Sequence, residues 1–149
     1  MVRTNYFNNG KLYCKTIEER ILDSWEDNKK HDSKLTARDF LVVRLDGSKY
    51  YRLWNTELIR CSCTGDIFIN ITGNDDMDYK YYRYGRTKDV IITQTTKNRL
   101  NLFLKYYGFD SLEAHSSMKE WSVKYNGEEL KVNNWYKLDF ENKKLVLAD

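Results

Sequence analysis

Three carboxylates crowd one short polar segment of the sequence: Asp75, Asp76 and Asp78. Carboxylate oxygens are the ligands that calcium prefers, at about 2.3–2.6 Å from the ion. Their spacing does not match the EF-hand loop, and aspartate is common in turns because its side chain bonds the nearby backbone. We therefore interpret this segment as a turn and expect no metal ion there.

Sulfur and imidazole ligands are equally sparse. Cys14, Cys61 and Cys63 supply three thiols, one ligand short of a structural zinc site, and no histidine lies at finger-like spacing. The Cys61-x-Cys63 pair is predicted to share one face of a strand, and reduced thiols in a cytosolic protein are the simplest interpretation. His115 is followed by two serines, without the sharp turn that presents a serine nucleophile. These residues predict neither a zinc site nor a catalytic triad.

Glycine-rich phosphate loops are absent from the sequence, and there are only two histidines. Acid–base catalysis by carboxylates is the enzymatic mechanism that these residue types leave open. We rank a carboxylate-based enzyme third among the functional hypotheses, and we expect no cofactor.

The densest group of aromatic and basic residues is the segment DYKYYRYGRTK, Asp78 to Lys88, with four tyrosines and four basic residues. On a strand its tyrosines fall on both faces, which leaves one aromatic face outside the core. Tyrosines beside basic groups stack on nucleic-acid bases, and tyrosine and arginine are also enriched in protein interfaces. Flanking acids repel phosphate and favour a protein partner, while a tyrosine-rich edge strand is the purely structural alternative. The predicted partner-binding residues are Tyr79, Tyr81, Tyr82, Arg83, Tyr84 and Arg86.

A second basic and polar group lies in the first turns of a predicted helix: Lys97, Asn98 and Arg99. Since the N-terminus of a helix attracts anions, these residues are a candidate contact for an anion or a nucleic acid. The alternative is a helix face that meets only solvent.

Two helices are predicted. A Thr-x-x-Glu capping box at Thr16 starts the first, which ends near Trp25. The second covers TTKNRLNLFLKYYGF, is capped by Thr95 or Thr96, and ends at Gly108 with an apolar residue placed for a Schellman motif.

The remaining patterns are those of strands. The sequence on both sides of the Asp46-Gly47 turn is β-branched and aromatic, and a second hairpin is expected around Thr64-Gly65. Ile67, Ile69 and Ile71 alternate with polar Asn70 and predict one apolar face. Residues 40–71 are therefore predicted to form an antiparallel meander. A short irregular piece is expected from Ser111 to Lys119. Turns at Asn126-Gly127 and Glu141-Asn142 then join two C-terminal hairpins.

Composition limits the classes of protein to which the chain belongs. It has 149 residues, and 25 basic against 22 acidic side chains give a net charge of +3. The isoelectric point near 8.6 lies below the values above about 9 that are typical of DNA-binding domains. No apolar stretch has the length of a membrane span, and no signal-peptide core is visible, so we expect a cytoplasmic protein.

We predict one α+β domain over residues 1–149, built on an antiparallel meander of β-hairpins with two main helices. Residues 1–39 are predicted to form an N-terminal arm with a helix. Residues 40–149 are predicted to form the sheet, the second helix and the C-terminal hairpins.

Four segments, WNTELI, GDIFIN, TQTTKNRLNLFLKYYGF and KEWSVKYNGEELKVNNWYKLDF, resemble a group of small uncharacterised proteins of phages and plasmids of low-GC bacteria. The resemblance spans roughly Phe40 to Phe140 and rests mainly on the T-T-K-x-R-x-N helix start and on Trp121. The absence of proline and the abundance of asparagine, lysine and tyrosine fit a low-GC genome. The tyrosine segment lengthens the connection before the second helix relative to that group, and the resemblance implies no catalytic residues.

Small non-enzymatic phage proteins often block host defences, as anti-CRISPR proteins do. The resemblance therefore implies an inhibitor of a bacterial defence system, with a CRISPR effector or its guide complex as the protein partner of the tyrosine segment. The alternative is a nucleic-acid-binding accessory protein that uses the same segment and the helix start. The sequence also leaves open a homodimer formed through an edge strand.

Overall fold

The computed structural model describes residues 3–8, 11–27, 32–71, 94–116 and 121–148. Two helices and twelve strands lie within these ranges. The helices are α1 (Ile17–Glu26) and α2 (Gln94–Tyr106). The strands are β1 (Arg3–Asn8), β2 (Lys11–Thr16), β3 (Ser33–Lys34), β4 (Asp39–Val43), β5 (Lys49–Leu53), β6 (Thr56–Cys61), β7 (Ile67–Ile71), β8 (Glu113–Ser116), β9 (Trp121–Tyr125), β10 (Glu128–Glu129), β11 (Asn134–Asp139) and β12 (Lys144–Leu147).

Seven strands form the main sheet, in the order β12-β11-β7-β6-β5-β4-β3, and all neighbouring pairs are antiparallel. β8, β9 and β10 form a small second sheet, and β1 pairs with β2. The predicted α+β class, with antiparallel hairpins and two main helices, is confirmed. The meander predicted over residues 40–71 is the run from β4 to β7.

One face of the main sheet, the inner face, is apolar. Its central row consists of cross-strand partners that are at most 6% exposed: Leu41, Tyr51, Ile59, Ile69 and Tyr136. Because successive side chains on a strand point in opposite directions, the residues between them lie on the opposite, outer face. The alternation predicted for Ile67, Ile69 and Ile71 is confirmed, since all three are buried.

Both helices pack against the inner face. The Phe103 ring of α2 contacts the Tyr51 ring of β5 at a centroid distance of 5.2 Å. The same ring meets Trp25 of α1 edge to face at 5.1 Å. Full burial of one such side chain contributes about 1.5–3 kcal/mol to folding. Residues of the small sheet, including Val123 and Tyr125, belong to the same hydrophobic cluster.

Local signals at the ends of the helices are reproduced in detail. The Thr16 hydroxyl accepts the Glu19 backbone N–H, and the Glu19 side chain accepts the Thr16 backbone N–H, as a capping box requires. At the end of α2, Gly108 has φ +81°, and Phe109 N–H donates to Leu104 C=O over 2.8 Å. This is the bond that defines a Schellman motif, so that prediction is confirmed.

Several boundaries differ from the sequence predictions. Thr95 and Thr96 lie inside α2, which begins at Gln94, so neither precedes the helix. The piece expected to be irregular contains β8, which pairs with β9. The β1–β2 hairpin was not predicted, although the sequence between its strands contains Asn9-Gly10, a hairpin signal.

Candidate functional site

The outer face of the main sheet carries a line of aromatic and basic side chains. Cross-strand pairing places six residues in one row: Val42, Tyr50, Arg60, Phe68, Lys137 and Val146. Beside this row, Phe40 pairs with Arg52, and Asn70 pairs with Trp135. We call the following seven residues the arginine–aromatic face: Phe40, Arg44, Tyr50, Arg52, Arg60, Phe68 and Trp135.

Three guanidinium groups of this face lie over aromatic rings. Arg60 is 4.2 Å from the centroid of the Trp135 ring, and Arg52 is 4.3 Å from that of Phe40. Arg44 is 5.2 Å from the centroid of the Tyr50 ring. A cation in this position is attracted by the ring quadrupole, with about 0.5–1 kcal/mol per contact at exposed sites. The contacts orient the arginines across the sheet, where Arg44 and Arg60 stay largely exposed while the Nε atom of Arg52 is buried.

Two of these arginines share one carboxylate. Arg60 forms an ion pair with Glu57, and Arg44 Nη2 lies 3.8 Å from the other oxygen of Glu57. The side chains of Arg44 and Arg60 are 60% and 47% exposed. Ion pairs this exposed contribute about 0–1 kcal/mol, so an incoming anion can replace Glu57 at little cost.

Basic groups outnumber acids on this part of the sheet. Four cations lie here, namely Arg44, Arg52, Arg60 and Lys137. Glu57 forms ion pairs with Arg44 and Arg60, and Asp66 forms one with Lys137. Asp46 lies in the adjoining β4–β5 turn, where its carboxylate binds Ser48. The face is therefore moderately basic rather than strongly so.

An open cleft of about 390 Å³ lies on this face. Its lining residues are Arg44, Ser48, Lys49, Tyr50, Arg60, Cys61, Ser62, Phe68, Trp135 and Ala148. The volume is at the lower end of the range for small-ligand sites, about 300–1,000 Å³. Aromatic rings and guanidinium groups together line it, which suits a ligand that is both planar and anionic.

A second cluster of charges is buried between the helices and the sheet. Arg99 of α2 donates from Nε to Asp39 of β4 over 2.9 Å, and the Tyr51 hydroxyl donates to the same carboxylate. Thr36 donates to the other Asp39 oxygen over 2.5 Å, and Glu18 of α1 lies 3.7 Å from Arg99. We call these five residues the Asp39 cluster. Asp39 is 0% exposed and Arg99 is 3% exposed.

The environment of the Asp39 cluster shifts its pKa values. Burial by itself raises the pKa of Asp39, but hydrogen bonds from Thr36, Tyr51 and Arg99 outweigh it and hold that pKa below its usual value. Burial and the charge of Asp39 raise the pKa of Tyr51 well above its ordinary value. The cluster is therefore an ionised Asp39 carboxylate that accepts hydrogen bonds from a neutral phenol and from a guanidinium.

The residues predicted to bind partners have different locations. The six residues of the tyrosine segment lie outside the described residues, so their role stays a prediction: Tyr79, Tyr81, Tyr82, Arg83, Tyr84 and Arg86. The same holds for the acidic cluster Asp75, Asp76 and Asp78.

Of the anion candidates at the start of α2, Lys97 is half-buried and Asn98 is exposed. Arg99 instead points into the core, where Asp39 and Glu18 bind it. An external anion cannot replace these buried partners without unpacking α2, and this placement corrects the assignment of Arg99.

The cysteines and candidate metal ligands do not form a cluster in the described part of the chain. Cys61 ends β6 and Cys63 is exposed in the following turn, so they do not share a strand face as predicted. Both are free thiols, and burial raises the pKa of Cys61.

Sequence reasoning missed the arginine–aromatic face, although a signal for it was present. Phe68 alternates with Ile67 and Ile69, and Tyr50 and Arg52 alternate with Tyr51. Residues that alternate with a buried row must line the opposite face. This second set of aromatic and arginine residues is spread over four hairpin strands and β11, so it is less dense in the sequence than the tyrosine segment.

Comparisons of the chain with protein-family models, with curated proteins and with solved structures give no match. Neither α1 nor α2, the helices in the described residues, has the length and apolar character needed to cross a membrane.

Proposed function

We propose that the protein is a non-enzymatic binding protein that holds single-stranded nucleic acid on its arginine–aromatic face. The observation that carries this proposal is the set of three rings, each beside a guanidinium, on one face of the main sheet. The three rings are half-buried, and the accessible face of such a ring can stack on a base, while arginines neutralise phosphates and also stack on bases.

The spacing of the rings favours a single strand over a duplex. Tyr50 and Phe68 are two strands apart in the same row, about 10 Å from each other at the usual strand spacing. Bases in a duplex are covered by their neighbours and offer no free ring face to these side chains. An extended single strand exposes every base to stacking.

The moderate charge of the face agrees with binding that depends on stacking as well as on phosphate contacts. Glu57 and Asp66 offset part of the positive charge, so affinity at physiological salt depends mainly on the aromatic residues. We infer that the protein works in the bacterial cytoplasm, where the free thiols of Cys61 and Cys63 stay reduced.

Fluorescence anisotropy with a labelled oligonucleotide of about twelve residues tests the proposal. We expect single-stranded RNA or DNA to bind, and the logarithm of affinity to fall with the logarithm of salt concentration with a slope of roughly −2, for about three phosphate contacts. A matched duplex should bind more weakly. Absence of single-strand binding at about 50 mM salt overturns the proposal. That result would leave contact with a protein partner, such as a defence component, as the function to test.

A further inference from the structure

The cleft on the arginine–aromatic face has the size and lining of a site for one nucleotide unit. We propose that it binds a single nucleoside monophosphate unit, with the base stacked on Trp135 and the phosphate held by Arg44 and Arg60. This inference rests on the proposed function, because it names the part of the strand that the cleft would hold. Its volume of about 390 Å³ is sufficient for a base, its sugar and one phosphate.

The two kinds of lining residue match the two halves of a nucleotide. Trp135, Phe68 and Tyr50 supply ring surface for a planar base. Arg44 and Arg60, both about half exposed, supply guanidinium groups that bind phosphate oxygens in a bidentate manner. A cleft with rings alone would suit a lipid, and a cleft with arginines alone would suit a simple anion. The two features together favour a nucleotide.

Arg60 acts as a removable cover of the stacking site. Its guanidinium lies 4.2 Å from the Trp135 centroid, where a stacked base would lie, and its ion pair with Glu57 holds it there. A base must displace this cation from the ring. Arg60 then leaves Glu57 and pairs with the phosphate of the same nucleotide. Its positive charge therefore keeps an anionic partner in the complex.

The two serine hydroxyls of the cleft already have partners. Ser48 Oγ donates to Asp46 over 2.6 Å, and Ser62 Oγ bonds Thr64 Oγ1 and accepts the Asp66 backbone N–H. Neither serine hydroxyl is therefore free to read base edges. We expect little discrimination among the four bases, with purines favoured modestly by their larger stacking surface.

Nuclear magnetic resonance of the protein labelled with ¹⁵N at tryptophan tests the site with three probes: AMP, adenosine and ribose 5-phosphate. The Trp135 indole signal is assigned with Trp135→Phe. We expect AMP to shift this signal in a saturable manner. Adenosine and ribose 5-phosphate should each bind at least about tenfold more weakly, because each lacks one of the two recognised groups.

Arg60→Ala separates the cover from a simple phosphate contact. Because the ring is then uncovered, adenosine should bind the variant about twofold to fivefold more tightly than the unaltered protein. AMP should bind it more weakly, because a phosphate ligand is lost. Lys105→Gln, which removes an exposed cation in the last turn of α2 that is not among the cleft-lining residues, is the control and should change neither affinity.

The outcomes distinguish this inference from the proposed function. If oligonucleotides bind but AMP leaves the Trp135 signal unchanged, the nucleotide site is wrong and the proposed function stands. If Arg60→Ala weakens adenosine and AMP alike, Arg60 is not a cover. If neither oligonucleotide nor AMP binds, both proposals are overturned.

Discussion

The Asp39 cluster and the arginine–aromatic face both contain arginine and tyrosine, and in both an arginine pairs with a carboxylate, yet the two arginines have different roles. Arg99 is 3% exposed and is held by two carboxylates and a tyrosine, whereas the Arg60 side chain is 47% exposed and shares one carboxylate. The buried arginine is shielded from water and stays bound to its partners, because an unpaired charge in the core is very costly. Solvent lets the exposed arginine exchange partners freely. Burial, not residue type, therefore separates a structural arginine from a binding one.

The largest effect should come from breaking the buried cluster. Asp39→Asn should lower the free energy of unfolding by about 3–5 kcal/mol, because it removes the buried carboxylate that Arg99 contacts at 2.9 Å and leaves only Glu18, 3.7 Å away. Urea denaturation followed by circular dichroism measures the change. Asp46→Asn is the matched control, since that carboxylate binds Ser48 in an exposed turn, and its effect should be much smaller. A loss below that of the control would show that Asp39 and Arg99 are not a structural pair.

The pH dependence of stability should identify the same carboxylate. The folded pKa of Asp39 lies below the ordinary value of 3.8, so its contribution is present above pH 3.8 and is lost as pH falls through the folded pKa. The stabilities of the unaltered protein and of Asp39→Asn should therefore converge in acid. Denaturation midpoints measured from pH 7 downward provide the check. A constant difference down to the acid transition would contradict the assigned pKa direction.

On the arginine–aromatic face, loss of a ring should weaken binding without unfolding the protein. Trp135→Ala should reduce affinity for a single-stranded oligonucleotide by about 1–3 kcal/mol, the range for one base stacked on an aromatic ring. Anisotropy titrations measure it, and circular dichroism confirms that the fold is kept. Trp54→Asn is the control, because Trp54 is an exposed tryptophan in the β5–β6 turn and asparagine tolerates its φ of +55°. Equal losses in both variants would argue against a stacking role for Trp135.

The smallest effect should be electrostatic. Arg44→Gln should reduce the salt dependence of oligonucleotide binding by roughly 0.7 in the log–log slope, for one lost phosphate contact. Stability should hardly change, because this side chain is 60% exposed. Affinities measured at several salt concentrations give the slope. An unchanged slope would remove Arg44 from the phosphate-binding residues.

Local signals made much of the fold predictable from the sequence. Thr16, Gly108 and Asn126 each act within a few residues of chain, and the capping box, the Schellman motif and the Asn-Gly turn all form. Asn126 and Gly127 both have positive φ, as a type I′ turn requires. Such features need no knowledge of the rest of the molecule.

The sites depend on distant pairings and were harder to predict. Arg99 and Asp39 are 60 positions apart, so the sequence around Arg99 describes a polar helix start and not a buried ion pair. The outer row requires the correct register across five strand pairs, including the irregularity between Tyr51 and Arg52 in the β5–β6 pair. A shift of one residue would exchange the two faces of a strand. The row is therefore set by the pairing register between strands, and the sequence of a single strand does not specify that register.

The contact between the two helices also has a consequence for synthesis on the ribosome. The Trp25 indole donates to the Tyr107 hydroxyl over 2.7 Å, and these residues are 82 positions apart. At about 5–20 residues per second, roughly 4–16 s pass between the emergence of the two side chains. During that interval α1 has no α2 against which to bury Trp25. The nascent chain therefore exposes its first tryptophan until the second helix has left the exit tunnel.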